Sequence, residues 1–423
     1  MLSMNFDIAF PSLVAGRLAL AYLNLPDTLQ HDHQLSTPLT SYPRLQEGLY
    51  LFHNGVDPYS GGLFRHSPLL LSLFSTVLPL NRHTAALLWT ASDALAAWAL
   101  VQIWRARQQL TAKTPRDSLI AAAYLLNPYI LLPTLARSTA TFENALLLLA
   151  VMFACRGKAA ATLLTLAVAT HLSLTSALYL LPLVLLLLTT PVSHLASPRP
   201  YPYALQDIVK RAGPFMVEYT VYMLVLAGAA TLASGGWGWV GKTWGAVLTL
   251  PDLTPNVGLW WYFFTEMFDH FRPFFLMVFS IHLAIYPLPL SIKFQHDPLY
   301  ALYALTGVLA TFKPYPSLAD AGLFVSMAAL FPETYAHMRT PFPTALVHLH
   351  CSLLLPLFHH LWLGAGTGNA NFYYASTLVW GVAMGLGVAD AVWAGLVAGI
   401  KGAAKKGDAA GACAWDGWEV AQE

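Results

Sequence analysis

The sequence predicts an all-α, polytopic membrane protein with about twelve transmembrane helices. Of its 423 residues, 57% belong to the apolar set and only 10% are charged, a balance that a soluble globule of this size does not show. Apolar runs of about 20 residues recur along the chain, and the lysines and arginines gather in short segments between them. A formal net charge of +1 leaves no surplus of basic residues for a phosphate backbone, so no nucleic acid is expected as a partner.

The spans are placed where helices can satisfy their own backbone groups in hydrocarbon, which takes about 20 apolar residues. They are predicted at residues 6–25, 83–104, 118–135, 140–155, 159–175, 176–190, 214–233, 273–292, 298–312, 318–336, 344–362 and 373–400. Residues 159–190 are too long for one crossing and too short for two, and His171 and Pro182 indicate a bent or broken pair. The first span contains Arg17 and follows no basic segment, so we expect it to be retained rather than cleaved as a signal peptide. Residues 1–400 are thus predicted to form a single membrane domain.

Orientation follows from the basic residues, which favour the cytosolic side of a membrane. In the twelve-span threading they share one side with both termini, and they are Arg105, Arg107, Lys113, Arg116, Arg156, Lys158, Arg199, Lys210, Arg211, Lys293, Arg339, Lys401, Lys405 and Lys406. Counting the apolar segment 67–80 as a span would split this set, so we predict that it is re-entrant or interfacial. The tail, residues 401–423, is rich in Gly, Ala and Lys and is predicted to be cytosolic and disordered.

The opposite, luminal side holds the segments richest in Gly, Pro, Asn, Asp and Trp. These segments are the loop 26–82, the interfacial segment 235–272, the turn 313–317 and the loop 364–371. Binding residues concentrate on loops that a rigid scaffold positions. We therefore expect the functional site on the luminal side.

The first luminal loop, residues 26–82, is long and acidic and ends in a short apolar segment. This layout resembles the polytopic lipid-linked sugar transferases of the GT-C type, which include the mannosyltransferase of anchor synthesis. Those enzymes carry an Asp-x-Asp or similar carboxylate pair in this loop, and that pair is missing here. His31, Asp32 and His33 could ligate a metal only with further ligands, and the alternative is a solvated loop. We predict no metal and no cofactor.

A second luminal segment, residues 250–271, shows helical periodicity. Asn256 is placed to cap a helix that continues to Phe271. One face of that helix would be aromatic and lie among lipid headgroups, with Trp260, Phe264, Phe268 and Phe271. The other face would turn an acidic edge toward the lumen or a partner, with Tyr262, Glu266, Asp269 and His270. Together with Asp252 and Trp261, these residues are candidates for a lipid-facing cleft, and the alternative for the aromatic side chains is an anchoring belt.

No catalytic residue is predicted. Glu266 and His270 stand one helical turn apart, as an acid–base pair would, but no nucleophile or second carboxylate site lies near them in the sequence. We interpret them as a structural pair or as ligand contacts. The three cysteines, Cys155, Cys351 and Cys413, are too few and too scattered for a disulfide framework or a thiolate metal site.

The last luminal loop, residues 364–371, combines three glycines with Asn369 and Asn371. Gly366 and Gly368 would let a ligand approach the backbone closely, and the two amides can each donate and accept hydrogen bonds toward sugar, phosphate or ethanolamine groups. The alternative is a plain turn before the final span.

Several motifs, in conserved order along nearly the whole chain, resemble one family. They are Glu47-Gly48-Leu49, the segment Gly55-Val56-Asp57-Pro58-Tyr59-Ser60-Gly61, the segment Tyr124-Leu125-Leu126-Asn127-Pro128-Tyr129, the block Pro251 to Phe271 and Gly368-Asn369-Ala370-Asn371-Phe372. The sequence is similar at these motifs to the class U subunit of the glycosylphosphatidylinositol (GPI) transamidase, and the Pro-Asp-Leu-Thr-Pro-Asn start of the block is specific to that family.

This resemblance implies a multi-spanning subunit of the endoplasmic reticulum membrane that is not itself the catalyst. The complex replaces a C-terminal signal peptide on a proprotein with a preformed GPI lipid, and its partners are a cysteine-protease-like catalytic subunit and three further membrane subunits. The family's GPI-contacting asparagines match Asn369 and Asn371, beside Gly368, and its aromatic luminal block matches residues 260–271.

Two other functions remain open on the sequence, an active lipid-linked mannosyltransferase of GPI biosynthesis and a small-molecule transporter. The missing carboxylate pair counts against the first of these. Apart from Arg17, His171, His348 and His350, the spans hold few groups that could line a path at the midplane, which counts against the second. Only a transamidase subunit demands partner subunits in fixed stoichiometry.

Overall fold

The computed structural model describes residues 5–23, 25–189, 192–197 and 205–408, and most of these residues are helical. The only β-type pairing among the described residues is a lone backbone bridge between His194 and Ser197. The prediction of an all-α protein is therefore confirmed.

In sequence order, ten described helices precede the segment 190–204 and ten follow it. Those before it are α1 (Phe6–Ala21), α2 (Leu25–Leu29), α3 (Tyr42–His53), α4 (Pro68–Ser72), α5 (Arg82–Gln108), α6 (Pro115–Leu125), α7 (Pro128–Leu135), α8 (Ala140–Cys155), α9 (Ala159–Leu172) and α10 (Leu180–Leu188). Those after it are α11 (Leu205–Ser234), α12 (Gly238–Lys242), α13 (Trp244–Thr249), α14 (Trp260–Thr265), α15 (Arg272–Ile285), α16 (Pro287–Lys293), α17 (Pro298–Phe312), α18 (Leu318–Met327), α19 (Pro341–His359) and α20 (Ala370–Asp408). Single π or 3-10 turns extend or link them at Leu73–Val77, Leu174–Tyr179, Ala328–Leu330, Pro332–His337 and His360–Gly364.

Several of these helices are long and apolar enough to cross a membrane, as expected for a multi-pass membrane protein. Among the described residues five qualify, at Arg82–Gln108, Asp207–Ser234, Arg272–Lys293, Pro341–Gly364 and Ala370–Gly402. A sixth is formed by α6 and α7 if this pair, bent by 52°, is one span. The bend falls at Asn127 and Pro128, because the Asn127 side chain accepts from the Tyr129 N–H at 3.0 Å and starts a new helix there.

The remaining predicted spans fall on shorter helices. Examples are α1 with 16 residues, α9 with 14 and α17 with 15. A helix of 15 residues covers about 22 Å, less than the roughly 30 Å of a hydrocarbon core. The count of twelve spans is therefore not confirmed. The helical stretch predicted at 159–190 is interrupted, because a 3-10 turn at Leu174–Tyr179 separates α9 from α10.

Helix starts are fixed by polar caps that the sequence supplies. Asn81 accepts from the N–H groups of His83 and Thr84 at 3.0 and 2.9 Å, while the Thr84 hydroxyl accepts from the Asn81 N–H, which completes a capping box for α5. Ser317 and Asp320 form the same arrangement at the start of α18. These caps set where the turns before α5 and α18 end.

Buried ion pairs connect helices that are far apart in sequence. Arg17 of α1 bonds the Asp93 carboxylate of α5, and its Nε donates to the Leu125 carbonyl at 2.8 Å. At the far end of α5, the fully buried Arg107 lies 2.7 Å from Asp297 and 2.6 Å from Glu333. Removing one partner of such a pair leaves an uncompensated buried charge, so these contacts fix how the helices pack.

The first loop, residues 26–82, packs against the bundle as a small second core. Tyr42 of α3 meets Trp89 of α5 edge to face, with 5.6 Å between ring centroids, and Phe64 and Trp239 belong to the same cluster. Backbone bonds hold the loop elsewhere, with the Leu318 N–H donating to the Gln34 carbonyl at 3.1 Å. The loop therefore has a fixed position relative to the helices.

The predicted helix from Asn256 to Phe271 is wrong in extent, since α14 covers only Trp260–Thr265. The Asn256 side chain forms a tight turn instead of a helix cap, accepting from the Gly258 N–H at 2.8 Å and donating to the Thr254 carbonyl at 3.2 Å. After Glu266 the chain turns again before α15, where Pro273 has no N–H to continue a helix from the preceding turn.

The predicted tail begins inside a helix. Helix α20 continues to Asp408, eight residues beyond the predicted boundary at 400, so residues 401–408 are helical. Residues of good helix propensity, Ala and Lys, extend the helix across that boundary. The rest of the tail, 409–423, lies outside the described residues.

Candidate functional site

The two segments predicted separately to form a site are in direct contact. The Tyr262 hydroxyl on α14 donates a hydrogen bond to the Asn371 amide oxygen at the start of α20. The Tyr262 and Tyr374 rings lie 4.7 Å apart, and the Tyr374 hydroxyl donates to the Leu259 carbonyl at 3.1 Å. The block 250–271 and the loop 364–371 therefore form one surface.

Asn369 and Asn371 are both exposed at this surface. Asn369 also has a structural role, because its side-chain oxygen accepts from the Phe372 N–H at 3.2 Å in the first turn of α20. Each asparagine thus uses its side-chain oxygen within the protein. The exposed amide groups retain donor capacity toward a ligand.

The glycines of the last loop serve the fold of the loop itself. Gly366 has a φ of +66°, a conformation that other residues adopt with strain. The Gly368 N–H donates to the Leu361 carbonyl at 2.9 Å, and a Cβ at Gly368 would stand only 3.1 Å from the Leu361 and Trp362 backbone. The close approach that Gly368 permits is therefore to the π turn His360–Gly364 that follows α19, and Asn369 and Asn371 come next, at the start of α20.

The aromatic residues of the block do not share one lipid-facing side. Trp260 and Phe264 are buried, and Trp260 Nε1 donates to the Phe312 carbonyl at 2.8 Å. Phe268 and Phe271 are exposed. The predicted common face is wrong because α14 ends at Thr265, so the later two phenylalanines leave the helical register.

Trp261 connects the block to the last two helices. Its ring stacks on that of Trp362 with 6.0 Å between centroids and 18° between planes, and it lies 5.8 Å from the Tyr373 ring. The buried Trp261 Nε1 and Tyr373 hydroxyl find no hydrogen-bond partner in the described part of the chain. Buried polar groups of this kind are normally satisfied by water or ligand, so this junction can accommodate polar groups.

The charged candidates divide into a paired group and an exposed group. Asp252 lies 2.7 Å from Arg44 of the first loop. Burial alone would raise the pKa of Asp252, but hydrogen bonds from Thr254 and the charge of Arg44 outweigh it and lower that pKa. Glu266, Asp269 and His270 are exposed, and the His270 ring packs on Phe271 with centroids 4.0 Å apart rather than pairing with Glu266.

Sequence analysis missed the part that the first loop and α19 contribute. The His33 and His359 rings meet edge to face at 5.9 Å, and His359 in turn lies 5.2 Å from Tyr373. Burial, together with the nearby His359, lowers the pKa of His33, so its ring is neutral near pH 7. The one signal in the sequence was the His31-Asp32-His33 cluster, which the sequence analysis considered only as a metal site or a solvated loop.

Three polar side-chain atoms at or next to this contact lack partners within the described ranges. His33 Nδ1, His359 Nε2 and Gln34 Nε2 are buried and have no hydrogen-bond partner among the described residues. In that part of the chain, no three His, Cys, Asp or Glu side chains converge in a way that could hold a metal ion. Imidazoles, amides and hydroxyls at the edge of a hydrophobic bundle are suited to a ligand rich in hydroxyl or phosphate oxygens.

The chain is similar to proteins of one kind along nearly its whole length. The family model described as GPI transamidase subunit PIG-U matches residues 11–380. The Saccharomyces cerevisiae protein named GPI transamidase component GAB1 is 33% identical over 387 residues, covering 90% of this chain and 92% of that protein. The Homo sapiens protein named GPI-anchor transamidase component PIGU is 32% identical over 409 residues, covering 90% of this chain and 91% of that protein.

Proposed function

The chain belongs to the PIG-U family of GPI transamidase subunits, and we propose that it binds the GPI lipid and presents it for attachment to the C-termini of proproteins. It acts in the endoplasmic reticulum membrane as a non-catalytic subunit. Its partners are a cysteine-protease-like catalytic subunit and three further membrane subunits.

One observation carries this proposal, the junction of Tyr262 with Asn371. It brings the exposed amides of Asn369 and Asn371 beside the aromatic block, at the ends of two helices long enough to span a membrane. A GPI lipid needs a site of this composition, because its glycan head offers many hydroxyl and phosphate oxygens while its tails require apolar surroundings. The polar contact of His33 with His359 extends the same surface toward the first loop.

The orientation of the chain is part of the proposal. The basic loops face the cytosol with both termini, so the loops 26–82, 235–272 and 364–371 face the lumen. The short apolar helices complete a twelve-span bundle like that of the lipid-linked sugar transferases, with the help of partner subunits around them. The lumen is where a proprotein and the GPI head would meet.

The cysteines support a non-catalytic role. A transamidation through a thioester needs an accessible thiolate with a base near it. Cys155 and Cys351 are buried, and burial disfavours a thiolate. Cys413 lies outside the described residues, in the tail proposed to be cytosolic.

The test is the double variant Asn369→Ala/Asn371→Ala in cells, read out by surface display of a GPI-anchored reporter and by co-purification of the transamidase subunits. Loss of one amide contact costs about 1 kcal/mol, so we expect display to fall at least several-fold while the subunits still co-purify. Asn369→Ser separates the two roles of this residue. A serine hydroxyl still caps α20, but serine has no amide N–H₂ to donate to a ligand. Normal display from the double variant contradicts lipid binding at this site, and loss of co-purification assigns the asparagines to structure instead.

A further inference from the structure

Helix α11 carries one carboxyl side chain, Glu218, among the apolar residues that follow Arg211. The part of α11 that is long and apolar enough to span a membrane runs from Asp207 to Ser234. Only 17% of its most apolar 18-residue stretch is buried inside the protein. The basic residues Lys210 and Arg211 precede the apolar stretch 214–233, so at about 1.5 Å per residue Glu218 lies roughly 6 Å inside one end of that stretch and roughly 22 Å from the other. Its carboxyl group therefore lies about one helical turn inside the apolar stretch.

Glu218 belongs to the side of α11 that the rest of the chain leaves uncovered. The exposed Val221, Val225 and Leu232 follow it at helical spacings of three, seven and fourteen residues. The opposite side packs on the bundle, where the buried Tyr219 hydroxyl lies 2.9 Å from the Thr170 hydroxyl of α9. Glu218 itself is only half-buried.

The carboxyl group has one bond from its own helix. The Tyr222 hydroxyl donates to Glu218 Oε1 at 2.8 Å. A carboxyl group has two oxygens with about four acceptor positions, so this single bond leaves acceptor capacity that no described residue fills. Lipid tails cannot donate hydrogen bonds, and ionisable groups inside membranes almost always face a protein partner or water.

We propose that the face of α11 formed by Glu218, Val221 and Val225 docks against a transmembrane helix of another transamidase subunit, which places a hydrogen-bond donor side chain opposite Glu218. The inference rests on the proposed function, since it needs a complex to supply that helix. Charge complementarity selects a different subunit over a second copy of this chain. In a symmetric pair, Glu218 would oppose a second acceptor, whereas a basic, hydroxyl or amide side chain supplies the missing proton donor.

The first experiment is the exchange of Glu218 in the full complex. Glu218→Leu removes the acceptor, and we expect it to weaken co-purification of one subunit about three- to tenfold, the range of interhelical hydrogen bonds in membranes. Glu218→Gln keeps acceptor capacity and should retain most of the association. Thr220→Val is the matched control, because the Thr220 hydroxyl is exposed on the same helix but bonds its own Met216 carbonyl at 2.8 Å.

The second experiment is a photo-activatable amino acid at Val225 in native membranes. We expect it to cross-link to one transamidase subunit, and the cross-link should fall in the Glu218→Leu background but persist with Thr220→Val. Thermal unfolding of each purified variant shows whether the chain itself still folds. If Glu218→Leu does not fold, the docking face is tested by the Val225 cross-link in the otherwise unchanged chain, which should still form with one transamidase subunit.

The outcomes separate this inference from the proposed function. If the unchanged chain co-purifies with the transamidase subunits but Val225 cross-links to none of them, the docking face is wrong and the proposed function stands. A cross-link to a second copy of this chain also overturns it. If the unchanged chain does not co-purify with those subunits, the proposed function fails and the docking face fails with it.

Discussion

The hydroxyl of Tyr262 donates a hydrogen bond to the side-chain oxygen of Asn371, across 109 residues of sequence. This bond joins the short helix α14 to the start of α20, and the Tyr262 and Tyr374 rings pack beside it. It orients the Asn371 amide, because an oxygen held by Tyr262 turns the amide nitrogen away from that contact. The bond is therefore a structural link that also fixes the direction of the exposed Asn371 amide nitrogen.

The first prediction separates these two roles by a double-mutant cycle with Tyr262→Phe and Asn371→Ala. Each change removes the same bond, which is worth about 1 kcal/mol. The double variant should therefore be no less stable than the less stable of the two single variants. Thermal unfolding of the purified chain measures this coupling. If Asn371 also contacts the GPI head, Asn371→Ala lowers reporter display more than Tyr262→Phe does.

Tyr374→Phe serves as the control for that cycle. It removes the neighbouring bond to the Leu259 carbonyl while leaving Asn371 unchanged. We expect a similar loss of stability with little loss of display. Equal losses of display in all three variants would show that the junction matters only for folding.

The all-α class and the positions of the long helices were predictable because they follow from composition and apolar runs. The extent of the helix around Trp260 was not. Its periodicity continues to Phe271, but the Asn256 side chain closes a turn on Gly258 that ends before the helix begins. Both a helix cap and a tight turn use the same asparagine oxygen, and only tertiary packing selects between them.

The geometry of the candidate site was predictable where its residues are close in sequence, and it was missed where they are distant. Asn369 and Asn371 form one short motif, and the structure places both at one exposed surface. His33 and His359 come together across more than three hundred residues of sequence, with 5.9 Å between their rings. No local pattern encodes such a contact, so a single sequence shows the two histidines without showing that they are neighbours.

The second prediction concerns the aromatic block. Trp260→Ala should lower the free energy of unfolding by about 3–5 kcal/mol, because it empties a buried position and removes the bond to the Phe312 carbonyl. Phe268→Ala is the matched control, since Phe268 is 74% exposed and an exposed substitution usually changes stability by less than about 0.5 kcal/mol. Thermal unfolding in detergent distinguishes them. Equal stability of the two variants would contradict the burial of Trp260.

The third prediction is that anchor attachment needs none of the cysteines of this chain. Cys155→Ala, Cys351→Ala and Cys413→Ala combined should leave reporter display near its normal level, because no thiolate of this chain takes part in the transfer. Alanine is preferred to serine, since Cys155 and Cys351 are buried and alanine introduces no polar group there. Loss of display from a fully assembled complex would sink the proposal of a non-catalytic subunit.

The fourth prediction concerns pH and His66 of the first loop. Burial lowers the pKa of His66 to about 4, and its Nε2 lies 2.9 Å from the Ser41 carbonyl, to which a neutral ring donates. The unfolded chain takes up a proton at His66 near pH 6.5, whereas the folded chain does so only near pH 4. Between these values unfolding binds a proton, so stability is full above pH 6.5 and falls as the pH is lowered toward 4.

The measurement is thermal unfolding of the wild-type chain and of His66→Gln at pH 7.5 and at pH 5. A slope of about 1.4 kcal/mol per pH unit predicts that the stability advantage of the wild-type chain shrinks by about 2 kcal/mol between these values. His53→Gln, at the exposed end of α3, is the matched control and should follow the wild-type profile. A constant difference between wild type and His66→Gln would mean that His66 takes up its proton equally in the folded and unfolded chain. That result would contradict the burial of the His66 ring, which lies 5.6 Å from the Phe64 ring.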